Sequence, residues 1–136
     1  DSDYGVVVFD VNGLKFVNDH FGHEAGDMLL KDACQSICDT FPHYPVYRIG
    51  GDEFAVVLRN ASAVKIDAYC EAFEENLNKR NRDAVREYQV SVAWGYAAFC
   101  TEQVKEWSDL FKLADERMYQ KKAEIKKRPE NAWMIR

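Results

Sequence analysis

Gly50-Gly51-Asp52-Glu53 separates two apolar, β-prone runs, Val46-Tyr47-Arg48-Ile49 and Phe54-Ala55-Val56-Val57-Leu58. A Gly-Gly pair in that setting predicts a tight two-residue hairpin, because the favoured turns need positive φ at their central positions. A hairpin in mid-chain rules out a doubly wound parallel sheet, whose successive strands are joined by crossovers. The acidic doublet is a second constraint. Carboxylates are poor strand formers, and two side by side concentrate negative charge at a strand's mouth. Another run, Tyr4-Gly5-Val6-Val7-Val8-Phe9, ends on a third carboxylate, Asp10. If the two runs are neighbouring strands, three carboxylates meet at one sheet edge and offer hard oxygens suited to Mg²⁺.

The other elements follow from periodicity. Residues 4–10 read as a central strand, apolar on both faces. Asn12-Gly13 breaks it, a helical turn starts at Leu14, and Gly22 stops that turn. A long helix over about 24–41 sets Ala25, Leu29, Ala33, Ile37 and Phe41 at i, i+4 spacing, widened by Leu30, Cys34 and Cys38 and closed by Pro42 and Pro45. Ser62 is placed to cap a helix over roughly 63–80, with Ile66, Tyr69, Phe73 and Leu77 inward. Residues 88–99 read as a strand. Thr101 or Ser108 caps the last helix, which turns Leu110, Leu113, Ala114, Met118 and Tyr119 inward and ends at Pro129; Ala132-Trp133-Met134-Ile135 reads as a final short strand. The expected class is α+β: a mixed, mostly antiparallel five-stranded sheet with packed helices, ferredoxin-like and akin to polymerase palm domains.

At 136 residues the chain fits one domain, 1–136. Its net charge of −5 argues against binding a nucleic-acid polymer through overall charge. No apolar run approaches the ~20 residues of a membrane span, and no secretory leader opens the chain. The start, almost on the first strand, suggests a piece of a longer protein. The four cysteines, Cys34, Cys38, Cys70 and Cys100, include no Cys-x-x-Cys pair. They read as small core residues in a reducing cytosol, with membrane tethering of the parent left open. His20, His23 and His43 make no zinc spacing.

Gly50-Gly51-Asp52-Glu53-Phe54 reproduces the motif that names the GGDEF family, the diguanylate cyclases. Asp10-Val11-Asn12-Gly13-Leu14-Lys15-Phe16-Val17-Asn18-Asp19, then Gly22-His23 and Gly26-Asp27, resembles that family's other main block. Ala114-Asp115-Glu116-Arg117-Met118-Tyr119 is similar to its late helix, and Val90-Ser91-Val92 with Gly95 to its fourth strand. The likeness covers nearly the whole chain and implies a nucleotide-cyclase type of palm fold. It also implies condensation of two GTP into cyclic di-GMP with release of two pyrophosphates, each 3′-hydroxyl attacking the other nucleotide's α-phosphate.

By that resemblance Asp10, Glu53 and the backbone carbonyl of Val11 hold Mg²⁺ or Mn²⁺ in a two-metal arrangement. Asp52 serves at the reaction centre as ligand, base or both, and Gly50 and Gly51 line the substrate. Asn18 and Asp27 read guanine, while Lys15, Lys122 and Lys126 contact phosphate. Blander readings stand beside these: a solvated acidic turn for Asp52 and Glu53, a helix-terminal charge for Asp27, a turn former at Asn18, and solvated, dipole-favoured lysines at a helix C-terminus. The resemblance further implies a second copy of the domain for catalysis and an upstream sensory or dimerisation module in the parent.

Two departures stand out. The family's secondary Arg-x-x-Asp site for the dimeric product is replaced by Phe41 and Tyr44, so feedback inhibition through it is not expected. The lead-in helix before the first strand is missing, which puts the activity of this stretch alone in question. The competing readings are a non-catalytic module that binds GTP or cyclic di-GMP, and a palm-type cyclase with another product.

Overall fold

A computed structural model describes residues 4–83, 87–99, 104 and 106–135. The order is β1 (Tyr4–Val11), α1 (Leu14–Phe21), α2 (His23–Thr40), β2 (Val46–Arg48), β3 (Glu53–Arg59), α3 (Ala63–Asp83), β4 (Val92–Ala98), α4 (Trp107–Lys127) and a 3₁₀ helix (Pro129–Ile135). The sheet runs β2-β3-β1-β4, antiparallel at every pairing. That is the ferredoxin-like plan, with β1 and β3 central as their unbroken apolar runs demand. Four described strands replace the expected five.

Strand alternation sorts the core into two layers. Val7, Phe9, Val56 and Leu58 pack against α2 and α3 through Leu29, Ala33, Ile37, Ile66 and Phe73. Val6, Val8, Ala55, Ala93 and Ala97 pack against α4 through Leu110, Ala114 and Met118. Helix α4 lies so close to β4 that a Cβ on Gly95 would meet backbone atoms of α4, the Arg117 carbonyl carbon at 2.7 Å among them.

Several expectations are corrected. The fifth strand is absent because residues 129–135 form a 3₁₀ turn, whose Trp133 lies against Gly13 and packs edge-on to Phe16 at 5.5 Å. Strand β4 starts at Val92, not residue 88. Ahead of it the Asn81 side chain exchanges hydrogen bonds of 2.8 and 2.9 Å with the backbone of Val90, and Asn12 N–H donates to Ser91 O at 2.8 Å. The Asn12–Ser91 bond continues the β1–β4 register, whereas both backbone groups of Val90 are taken by Asn81, and the ladder stops there.

The diglycine bend is looser than a two-residue turn. Ile49 N–H donates to Glu53 O at 3.0 Å, enclosing Gly50, Gly51 and Asp52, and neither glycine takes a left-handed φ. Ser62 does cap α3, accepting from Lys65 N–H at 3.3 Å. Helix α4, in contrast, begins at Trp107 with no side-chain cap on Glu106; Thr101 lies outside the described residues. Tyr119 is 56% exposed rather than inward. Cys70 is buried as expected, Cys34 is half-buried and Cys38 exposed, and Cys100 lies outside the described residues.

Candidate active site

The register puts Asp10 of β1 directly opposite Glu53 of β3, and side-chain alternation turns both toward α4. Asp10 is 4% exposed. Its Oδ2 accepts from Lys122 Nζ of α4 at 3.0 Å; its Oδ1 is buried with no partner among the described residues. Burial raises the Asp10 pKa, against the lowering effect of the Lys122 hydrogen bond and charge, and Asp52 adds to the rise while Lys126 opposes it. Glu53 is also raised, by burial first, then by Asp115 of α4, and by Asp10 and Asp52. Four carboxylates are thus within one another's field at the end of the two central strands, with Lys122 and Lys126 set against them.

Backbone bonds fix this end of the sheet. Val11 N–H donates to Asp52 O at 2.8 Å, so by strand geometry the Val11 carbonyl faces the same way, toward β3 and the diglycine loop. Arg48 donates to Gly50 O at 3.2 Å and to Gly51 O at 2.6 Å, holding the loop in one shape. The donor set fits a hard divalent cation: oxygen ligands only, one buried oxygen without a partner, and mutual repulsion that positive charge relieves. Among the described residues no three His, Cys, Asp or Glu side chains already converge on a single point; the ammonium of Lys122 supplies the neutralising charge on Asp10.

The opposite face of the sheet holds a second feature. Between α2 and the β2–β3 pair lies a groove of about 470 Å³, lined by Asp27, Leu30, Cys34, Cys38, Arg48 and Phe54 among others. Asn18 of α1 reaches the same helix: its Oδ1 lies so close to Gly26 that a Cβ there would overlap it. The junction of α1 and α2 exists because Gly22, at φ 92°, lets one helix end and the next begin at once. Groove and carboxylates lie on opposite faces and share the diglycine loop, since Arg48 lines the groove while gripping that loop.

Of the residues singled out from the sequence, Asp10, Asp52, Glu53, Lys122 and Lys126 come together, and Gly50, Gly51 and Val11 border them. Asp27 lines the groove, and Asn18 lies against the neighbouring Gly26 without lining it. Lys15 stands apart, 91% exposed and paired with Asp19 at 3.1 Å. Sequence reasoning missed Arg48, Asp115 and the groove-lining Leu30 and Phe54. The signal for Asp115 was available: with Met118 and Lys122 it repeats at three and four residues, one face of a helix.

The family described as "Diguanylate cyclase, GGDEF domain" matches residues 1–128. An uncharacterized membrane protein of Staphylococcus epidermidis is 29% identical over 125 residues, 88% of this chain and 34% of that protein. Diguanylate cyclase DosC of Escherichia coli K12 is 29% identical over 115 residues, 84% of this chain and 25% of that protein. The chain spans about a third or less of the length of these relatives. An active GGEEF domain of a diguanylate cyclase from Vibrio cholerae superposes with a TM-score of 0.79 at 21% identity, over 90% of this chain and 78% of that one, and carries the fold. With both motif blocks, the palm topology and a match across nearly its whole length, the chain belongs to the GGDEF family of diguanylate cyclase domains.

Proposed function

We propose that this domain condenses two GTP molecules into cyclic di-GMP, each copy presenting one nucleotide to a second copy related by two-fold symmetry. The observation that supports this most is the cross-strand pair Asp10–Glu53, with a buried Asp10 oxygen left over and Lys122 at the other. Phosphoryl transfer asks a protein for positioning and charge neutralisation rather than covalent chemistry. In this reading Asp10, Glu53 and the Val11 carbonyl hold Mg²⁺ or Mn²⁺, which when bound polarises the phosphates and lowers the pKa of the attacking hydroxyl. Asp52, in the loop between groove and carboxylates, stands at the reaction centre.

The groove takes the base. Asp27 accepts from guanine N1–H and the exocyclic amine, and Asn18 supplies the amide beside it; adenine offers no such donor pair. A polar group left unpaired by the wrong base costs about 1–3 kcal/mol, a preference of roughly 5- to 150-fold. Lys122 leaves Asp10 for the triphosphate when nucleotide enters, with Lys126 one turn beyond and Lys15 on the α1 side.

The test uses the chain fused to a dimerising module, incubated with GTP and Mg²⁺ and followed by nucleotide chromatography. Cyclic di-GMP and pyrophosphate, lost in Asp52→Asn and Glu53→Gln, are the expected products. GTP uptake without turnover would replace this reading with that of a binding module, and a product built on another base would overturn the assignment to guanine.

A further inference from the structure

Cys34 and Cys38 sit one turn apart on α2, and both line the groove that holds Asp27, Arg48 and Phe54. No step of the proposed reaction uses a thiol. Asp27, Lys31, Cys34 and Cys38 follow one another at helical spacings of four, three and four residues, a single stripe along that wall. Cys38 is exposed and Cys34 half-buried, whereas Cys70 is buried. The two groove thiols are the reachable thiols among the described residues.

Helix geometry selects their chemistry. Residues at i, i+4 hold their Cβ atoms about 5–6 Å apart, while a disulfide needs about 3.5–4.5 Å. Closing one would distort α2, whose Leu29, Ala33 and Ile37 are fully buried. An atom that inserts between the sulfurs needs no such approach. Burial first, and the neighbouring Cys34 thiol second, push the Cys38 thiol up, which disfavours attack by a free thiolate; the one-turn spacing of the pair is what suits an electrophile that bonds to both sulfurs.

We propose that Cys34 and Cys38 form a dithiol site for a soft, two-sulfur-seeking electrophile of the trivalent arsenical class, and that its occupation closes the groove to the nucleobase. The site follows from the cysteine pair alone; the blocking half rests on the reading of the groove as the base site. With an aryl arsenoxide the step is a condensation without electron transfer. Two S–H bonds and the As–O double bond break, two S–As bonds form, and the oxygen leaves with both protons as water. Seven residues of helix separate Asp27 from Cys34, about 10 Å, so an aryl group carried there sits within the span a nucleoside would use.

The test is intact-mass spectrometry of the native chain with phenylarsine oxide, alongside binding of a fluorescent GTP analogue with and without the reagent. Cys34→Ser and Cys38→Ser are each compared with themselves. The expected result is one dimercaptopropanol-reversible adduct, lost in either variant, and at least tenfold weaker GTP binding when it is present. An adduct that survives in both variants overturns the site, and an adduct that leaves GTP affinity unchanged overturns the blocking. If the unmodified chain binds no GTP yet forms the cysteine-dependent adduct, the base-groove reading has failed and takes the blocking with it, while the dithiol site stands.

Discussion

Asp10 and Glu53 are held above the ordinary carboxylate range by burial first, and Asp115 deepens the effect at Glu53. The folded domain therefore grips these protons more tightly than the unfolded chain does. Their stabilising contribution is complete below the ordinary values of 3.8 and 4.5 and is lost as pH rises through the raised ones. At neutral pH the site costs stability. Glu53→Gln is expected to raise the melting temperature of the metal-free protein by about 1–3 °C near pH 7, with the gain shrinking toward about pH 4, while cyclase activity falls by about 100-fold or more. Thermal melts across that range, paired with turnover assays, check both halves. A gain that grows on acidification would contradict the repulsion.

Arg48 gives a prediction of the opposite kind. Its two bonds to the Gly50 and Gly51 carbonyls lie at the surface, so Arg48→Ala should leave the melting temperature within about 2 °C. Freeing the loop should lower kcat/KM about tenfold or more, about 1.4 kcal/mol of transition-state stabilisation, because the loop is no longer held in one shape for the reacting groups. A large stability loss without a kinetic effect would make Arg48 merely structural. Nothing in the local pattern around residue 48 marks it, since an arginine beside a turn is ordinary; its role appears only once the loop's carbonyls have a direction.

Among the elements, the central strands and helices were readable because their periodicity is strong, and Ser62 at the head of α3 because capping is local. The misreadings fall where backbone partners come from far along the chain. Residues 88–91 have strand-like composition, yet the Asn81 side chain takes both backbone groups of Val90 that a ladder would need. Residues 132–135 have the same composition, and Trp133 is instead drawn onto Gly13. Close element packing yields a prediction as well. Gly95→Ala drives a methyl into α4 backbone that has no side chain to move aside, and should cost about 3 kcal/mol or more. For Gly26→Ala the nearest atoms are the Asn18 side chain and the Leu14 methyl, so it should cost less stability but weaken GTP binding by displacing Asn18, the residue proposed to read guanine. Denaturant melts and a GTP titration separate the two.

For the whole molecule, the helix-to-strand corner that would carry a product-binding arginine and aspartate carries aromatic rings at those two positions instead. Phe41 is 1% exposed and meets Phe9 at 5.8 Å and Tyr69 at 5.3 Å, and Tyr44 meets Tyr69 at 5.6 Å. Cyclic di-GMP is therefore expected to inhibit only by competition with GTP, and initial-rate kinetics with added product test this. Potent non-competitive inhibition that is lost on mutating this corner would refute it. The sequence by itself determined the antiparallel palm plan, the helical faces and the acidic character of the site, because alternation, helical periodicity and a glycine pair act over a few residues. Only the tertiary structure decided that Lys122, 112 residues from Asp10, neutralises it, that Asp115 confronts Glu53, and that two thiols share a wall with Asp27. Those pairings depend on strand register and on how α2 and α4 lie against the sheet, and long-range packing of that kind leaves no periodic trace in the chain.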